Sequence, residues 1–505
     1  MMKKILFISF YELKEHMLYI SNIFKKYNYE IKNYPLFQYA YDANDKIDNY
    51  KDHMDAFIKT ANPDIILWWF LDVPISVFQF IKSNNPNIYY IMYNSDDPHN
   101  INIDTLEKVK IFNLLVTPCK EYINKYKIYC GITNVLWIPP GYDPNYYYPI
   151  VNLNAGEYNE NKKKYECDIN IYCYNILLNE LENQNQYVCR YNLINDIIEY
   201  CKNNGKTFKI YGPLAIKEYF KDNYCDDIDY FNFNKVFNYS KINICTHTYC
   251  NKSLSLTEYE MKILGSGGLL FMDKIKDIET FFEDDVHYVM IDKNNYITQI
   301  DKILNNYDNY TKIKCNGHEL SKQYTWDNFV LKIHIEITKY FFAPSLYFEL
   351  YEEDIKQSNI YKNSTNISNE TKLWETWLDI GLKRNHVCYD FEVPTYFNYS
   401  LYSDDKKMDI KNVKKMYIQW VNEGRSEDYV IVFENKQILS GGLDLKDINI
   451  CTEDLFKLYT VFNDIKSSNK AIKNESLEKL GIICKNNYNI KINKCLDVYF
   501  MLNNI

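Results

Sequence analysis

Ile88-Tyr89-Tyr90-Ile91-Met92 is an apolar run of the kind that forms a buried strand, and Asp96, Asp97, Pro98 and His99 follow it closely. Proline stops the strand, so two carboxylates and an imidazole stand at its mouth. Such groups can take a proton from a reacting hydroxyl, which makes Asp96, Asp97 and His99 candidate catalytic residues. An aspartate here has a plainer use, as the cap of a turn through a hydrogen bond to the backbone two residues on. On the residues alone both uses stay open.

A second concentration is "NKSLSLTEYEMKILGSGGLLFMD", residues 251–273. Ser255-Leu256-Thr257-Glu258 fits a capping box with Ser255 as N-cap and Glu258 at N3. A helix entered from the C-terminal end of a strand starts at that mouth. Its free N–H groups and the positive end of its dipole suit a diphosphate. Lys252 can add charge, and Ser255 and Thr257 can add hydroxyls. Glu260 sits one turn in, where a carboxylate can accept hydrogen bonds from two vicinal ribose hydroxyls. Gly265, Gly267 and Gly268 allow close backbone approach. The same residues also fit a capped helix, a Gly-rich turn and a buried strand in any α/β protein.

The elements that must position these groups alternate regularly. "KKILFISF", "PDIILWWF", "NIYYIMY", "FNLLVTP" and "NVLWIPPG" read as strands, with amphipathic helices between them such as Leu13–Lys26. Residues 152–164, "NLNAGEYNENKKK", read as a polar linker. The alternation restarts with "CDINIYCY", "TFKIYGP", "KINICTH", "GGLLFMD" and "VHYVMID". Runs this apolar imply parallel sheets covered on both faces. Two tandem Rossmann-like α/β domains are expected, over residues 1–150 and 165–342, each with a crevice at its strand C-termini. Residues 345–505 read as a third, mostly helical module. His247 ends a strand at the second mouth, and His16, in the first helix, is expected to be exposed.

Composition narrows the classes. The chain has 505 residues, too many for one core, and 25% are charged, as in ordinary globular proteins. A net charge of −9 without a basic block argues against a nucleic-acid partner. Arg190, Arg384 and Arg425 are the three arginines among 58 basic residues, a skew of the kind an AT-rich genome produces, as in some large viruses, protists or low-GC bacteria. The 14 cysteines include no CxxC, so neither structural zinc nor a disulfide framework is expected, and the chain reads as cytoplasmic. The most apolar stretch carries Asp72 and Pro74 and is not a membrane span.

The 251–273 segment resembles the donor-binding motif of GT-B glycosyltransferases, most closely the spore-maturation-protein-like branch of the group 1 enzymes. The matching pieces are Tyr259-Glu260, "MKILGSGG", "LLFMD", "IETFFEDD" and "VHYVMID". "LWIPPGYDPNYYYP", the "SDDP" of residues 95–98 and the closing "NGHELSKQYTWDNF" extend it over residues 3–342, with Trp326–Tyr340 expected to return to the first domain. The resemblance implies metal-independent transfer from a nucleotide-sugar donor to a glycan or protein acceptor. No cofactor is expected. It assigns Glu260, Lys252, Ser255, Thr257, Gly212, Gly267, Gly268, His247 and Asp273 to the donor, and the first-domain mouth to the acceptor. The branch usually has arginine where Thr257 stands, and many retaining enzymes have glutamate where Lys252 stands. These departures leave open a degenerate body acting as a scaffold, and a sugar-nucleotide epimerase is a further alternative. "DID" at Asp227–Asp229 formally matches the metal motif of the GT-A type, but its polar loop reads as surface. In the third module, Phe391, Tyr396, Asp404, Tyr417, Trp420, Gly424 and Arg425 resemble a helical repeat found beside glycosyltransferases of large viruses and bacteria.

Overall fold

The computed structural model describes residues 3–390, apart from 11, 14, 39–46, 71–72, 96, 98–102, 152–154, 175–188, 248–249 and 364–368, together with 414–415. Residues 2–336 form one compact unit and 337–505 a second.

The first sheet has six strands: β1 (Lys4–Ser9), β2 (Glu30–Pro35), β3 (Ile65–Trp68), β4 (Tyr89–Tyr93), β5 (Leu114–Thr117) and β6 (Val135–Trp137). Their order is β2-β1-β3-β4-β5-β6, and every pairing is parallel. All residues of β3, β4 and β5 are buried, because helices cover both faces. Those helices are α1 (Glu15–Lys26), α2 (Ile47–Ala61), α3 (Ile75–Asn84), α4 (Ile103–Val109) and α5 (Tyr122–Cys130). Gly131 ends α5 in the left-handed region (φ 68°), where glycine carries no Cβ penalty.

After β6 the expected linker is largely a helix, α6 (Ala155–Tyr165). It lacks an apolar stripe, which is why it reads as loop in sequence. Glu157 in its first turn and Lys162, Lys163 and Lys164 in its last complement the helix dipole. Tyr165 and Asn161 are buried, and Tyr158 packs beside Tyr239 (6.0 Å between rings).

The second sheet comprises β7 (Cys167–Tyr172), β8 (Phe208–Tyr211), β9 (Ser240–Cys245), β10 (Leu270–Met272) and β11 (Val289–Met290), in the order β11-β10-β9-β7-β8, again all parallel. Its helices are α7 (Arg190–Asn204), α8 (Phe233–Tyr239), α9 (Glu258–Gly265), α10 (Tyr296–Asn305) and α11 (Thr311–Ser321). The Leu193, Ile194, Ile197 and Cys201 stripe of α7 packs into one side of this core.

The carboxyl ends of the two sheets meet. Cys119, just past β5, forms an antiparallel bridge with Ser255. The Glu121 carboxylate accepts from the Ser253 N–H and the Lys276 ammonium, both at 3.3 Å. Helix α12 (Trp326–Phe341) then returns to the first sheet, as its sequence suggests. Tyr19 donates to Asp327 at 2.6 Å, Tyr29 pairs with His334 at 2.9 Å, and Phe329 packs on Trp69 and Tyr93.

In the second unit, α13 (Pro344–Gln357), α14 (Asn359–Asn363) and α15 (Asn369–Thr376) enclose a small core of Tyr347, Ile355, Leu373 and Trp377. The helical reading holds for this part. Phe391 to Arg425, which carry the repeat resemblance, lie outside the described residues. No helix among the described residues is long and apolar enough to cross a membrane.

Candidate functional site

The mouth of the second sheet is organised around one buried imidazole. His247, two residues past β9, is 4% exposed. Its Nδ1 lies 2.6 Å from Asp273 Oδ1, and its backbone N–H donates to Asp273 Oδ2 at 3.0 Å. Its Nε2 lies 2.5 Å from Glu260 Oε1. Asp273 directly follows β10 and Glu260 sits in the first turn of α9, so one side chain ties two strand ends to a helix start. Burial opposes a charge on His247, but the Glu260 carboxylate, with Cys245 and Asp273 beside it, outweighs that and raises its pKa well above the ordinary value. The His247 ring thus bridges the side chains of Asp273 and Glu260.

Two other groupings share these residues. Cys245 Sγ stands 3.9 Å from His247 Nε2, which with Asp273 traces a Cys–His–Asp line. Yet Nε2 is committed to Glu260, and burial, with Glu260 adding to it, pushes the Cys245 thiol up to about 11. A protonated thiol is a poor nucleophile. Cys245, His247 and Glu260 also offer three atoms within 4.8 Å of one another, ligand types that suit zinc. Two ligands at ~2.0–2.1 Å from a tetrahedral zinc would stand about 3.3 Å apart. Nε2 and Oε1 face each other directly as hydrogen-bond partners.

The start of α9 differs from the expected register. Thr257, not Ser255, is the N-cap, and Glu260, not Glu258, is N3. Thr257 Oγ1 accepts from the Tyr259 N–H at 3.3 Å, and Glu260 Oε1 accepts from the Thr257 N–H at 3.0 Å. Glu260 Oε2 takes the Thr257 hydroxyl. Glu260 is 0% exposed with both oxygens used internally, so it is not the cleft-facing ribose acceptor that the sequence suggests. Thr257-x-x-Glu260 satisfies the same box pattern as Ser255-x-x-Glu258. Burial of Leu254 and Leu256, and the pairing of Ser255 with Cys119, select the later start. Glu258 is left partly exposed and pairs with Lys262 at 2.7 Å. Lys262 is itself buried among the rings of Tyr230 (4.7 Å), Tyr259, Tyr147 and Phe233.

The glycines separate. Gly212 lies at the carboxyl end of β8, and a Cβ there would stand 2.2 Å from the Cys173 carbonyl oxygen. It belongs to the mouth. Gly267 and Gly268 precede β10 and therefore lie at the opposite edge of the parallel sheet, an eight-residue helix or about 12 Å from the mouth. A Cβ on Gly268 would meet Asn243 Nδ2 at 2.7 Å and the Phe237 carbonyl at 3.0 Å, and one on Gly267 would meet Pro149. Their smallness serves helix–strand packing, not ligand approach, which corrects the expectation.

At the first mouth, Asp97 is 6% exposed and its Oδ1 accepts from Tyr126 at 2.6 Å and Asn94 at 2.5 Å. This is the turn-and-core use of an aspartate. Asp96 and His99 lie outside the described residues. Asp229 accepts from the N–H groups of Phe231 and Asn232, so that part of "DID" caps a turn.

Two cations stand at the second mouth. Lys252 is half-buried on the loop before α9 and forms no ion pair with a described residue. Arg190, passed over in the sequence, opens α7 and donates Nε to Thr246 Oγ1 at 2.6 Å and Nη2 to the Thr246 carbonyl at 2.8 Å. The signal for it was its rarity: a chain that elsewhere uses lysine keeps a planar fork here. His16 is not exposed as expected, and its Nδ1 is buried.

Residues 190–334 match the family model described as glycosyl transferase-like. No curated protein sequence matches the chain. Among solved structures, the chain is similar to a glycosyltransferase from Rickettsia africae at 13% identity and a TM-score of 0.49, over 67% of this chain and 98% of that one. It is also similar to Anabaena HepE in complex with UDP, at 9% identity and 0.48, over 67% and 100%. The catalytic domain of Arabidopsis thaliana starch synthase IV bound to ADP and acarbose gives 8% identity and 0.46, over 66% and 98%.

Proposed function

We propose, for a chain that carries a glycosyl transferase-like domain on a GT-B fold, that it moves a sugar from a nucleotide-sugar donor to a hydroxyl of a glycan or protein acceptor without a metal ion. The observation that carries this reading is the meeting of two parallel-sheet carboxyl edges, with the cation Lys252 on the segment that makes the join. Ligands of open α/β sheets bind at such edges. In this reading Lys252 and Arg190 balance the charge that grows on the departing diphosphate, the work a metal ion does elsewhere. Gly212 keeps the β8 end low enough for the nucleotide to lie over it. The buried His247 network holds the loop that presents Lys252, and the first-domain edge closes over it to exclude water.

The internal use of Glu260 and His247 favours one alternative, a catalytically silent body that holds a partner. Nucleotide binding separates the two. A panel of nucleoside diphosphates and nucleotide sugars should include one that raises the melting temperature, since a ligand of the native state alone stabilises it. Lys252→Ala should then weaken that nucleotide by about 1.5–3 kcal/mol, the value of a charge-assisted hydrogen bond. No stabilisation by any member of the panel sinks the donor reading. Turnover abolished by EDTA and restored by Mn²⁺ sinks the metal-independent form of it.

A further inference from the structure

The loop that carries Lys252 is held from two sides. Its own domain holds it along its length. Arg190 Nη2 donates to the Thr246 carbonyl at 2.8 Å, and Asp273 accepts from the His247 N–H at 3.0 Å. The Lys276 N–H donates to the Cys250 carbonyl at 2.8 Å, and the Lys276 carbonyl accepts from the Leu254 N–H at 3.0 Å. The first domain holds it through residues just past β5. Cys119 bridges Ser255, and the Glu121 N–H donates to the Ser253 carbonyl at 3.3 Å. Glu121 Oε2 accepts from the Ser253 N–H and from Lys276 Nζ, both at 3.3 Å, while Lys125 meets its Oε1 at 3.1 Å.

Between the two first-domain contacts stands Leu254, 1% exposed, with φ at 45°. A bulky side chain in the left-handed region is strained, and such a backbone persists only where its surroundings impose it. The turn sends successive N–H groups to opposite domains, that of Ser253 to Glu121 and that of Leu254 to Lys276. Lys252 is the residue before it, half-buried and in no ion pair with a described residue. The Lys276 and Glu121 side chains are 51% and 23% exposed, and ion pairs that open to water add little stability. What Glu121 supplies here is a shape for the loop more than strength for the fold.

We propose that Glu121 is a positioning residue for the donor: by holding the Ser253 amide it fixes the strained turn at Leu254, and with it the place of the Lys252 ammonium at the diphosphate. The inference rests on the nucleotide-sugar reading above. It couples the two sheet edges. Where they are joined, Lys252 is set and the diphosphate is held. Where they part, the Ser253 N–H loses its partner and the turn relaxes. Positioning also predicts a sign that simple charge does not. A carboxylate near an anion site repels the anion, so removing it should tighten nucleotide binding by charge alone. If Glu121 works through Lys252, removing it weakens binding instead.

The test uses the full chain and the nucleoside diphosphate found by the binding screen. Glu121→Ala should weaken its binding by about five- to tenfold, the scale of one hydrogen bond to a charged group. Glu121→Gln keeps an acceptor for the Ser253 N–H and should restore affinity to within about threefold of wild type. In a Lys252→Ala background, Glu121→Ala should change affinity by less than about twofold, because the residue through which it acts is gone. Trypsin supplies a readout without nucleotide, since it cuts after lysine. Brief digestion read by mass spectrometry should cleave the Lys252–Ser253 bond at least about threefold faster in Glu121→Ala, as a protease attacks the opened segment. Unchanged or tighter nucleotide binding by Glu121→Ala overturns the proposal. So does an equal loss in the wild-type and Lys252→Ala backgrounds, or a glutamine variant as weak as the alanine one. Loss in Lys252→Ala without loss in Glu121→Ala removes this inference and leaves the donor reading standing. Failure of the wild-type protein to bind any nucleotide removes both.

Discussion

Two buried histidines show how the same side chain serves opposite ends. His247, at the mouth of the second sheet, lies between Asp273 and Glu260, and its charged form is favoured despite full burial. His334, on α12 where it returns to the first sheet, meets the Tyr29 hydroxyl at 2.9 Å and the Tyr27 ring at 4.3 Å. There burial alone acts, and its pKa is lowered to about 4. Depth is the same in both places, so depth does not decide protonation. What decides it is whether the fold supplies negative charge within hydrogen-bond reach. The second mouth is an electrostatic clamp, while His334 sits in a seam of aromatic rings.

Removing the clamp's cation should produce the largest effect. His247→Leu leaves Asp273 and Glu260 as buried carboxylates without their partner, and a loss of about 3–5 kcal/mol is expected in urea unfolding. A loss under about 1 kcal/mol would mean that the two carboxylates do not depend on it, and the contrast with His334 would vanish.

The next effect is in pH. For His334 the folded pKa lies below the unfolded value of 6.5, so the unfolded chain takes up the proton first. Its stability term is full above pH 6.5 and is lost as pH falls toward 4, by up to about 3 kcal/mol at 1.36 kcal/mol per unit. His334→Gln should flatten that acid limb. His247 has the reverse sign: its folded pKa is raised, so its contribution is present below 6.5 and is lost as pH rises through the raised value. Stability curves of wild type and the two variants against pH read both signs in one experiment.

Smaller effects sharpen the clamp itself. Gly268→Ala forces a Cβ against Asn243 and the Phe237 carbonyl at the far end of α9, and should cost about 1–3 kcal/mol through overpacking. Nucleotide affinity should not change, because that end is remote from the mouth; a change would return Gly268 to the ligand. Thr257→Ala removes the cap of α9 and should cost about 1 kcal/mol. Ser255→Ala should cost less, and the opposite ranking would restore the earlier cap register.

Much of the fold was legible because its signals are local. The strand runs "IILW" and "YYIMY" are apolar throughout, and Gly131 and Gly205 stop their helices in the left-handed region. Helix α6 was not legible, since its support comes from the dipole and from a few buried contacts and not from an apolar stripe. The site was legible only as a neighbourhood. His247, Asp273, Glu260, Thr257, Ser255, Lys252 and Gly212 do gather at the second mouth, but their directions could not be read. Gly267 and Gly268 were misplaced because adjacency in sequence hides the length of a helix that separates them from the mouth in space.

The sequence by itself determined two parallel α/β sheets in tandem, because the period and the turn residues that specify them act over a few residues at a time. The tertiary structure alone decided which polar groups turn inward. Two overlapping capping boxes were available, and the contact of Ser255 with Cys119, 136 positions away, goes with the second. That choice sends Glu260 down to His247 instead of out to the cleft. His16 was brought beside Tyr230 and Trp326 in the same way, by packing across more than 200 residues of chain. No local pattern encodes such meetings, since they depend on where three separate chain segments arrive together.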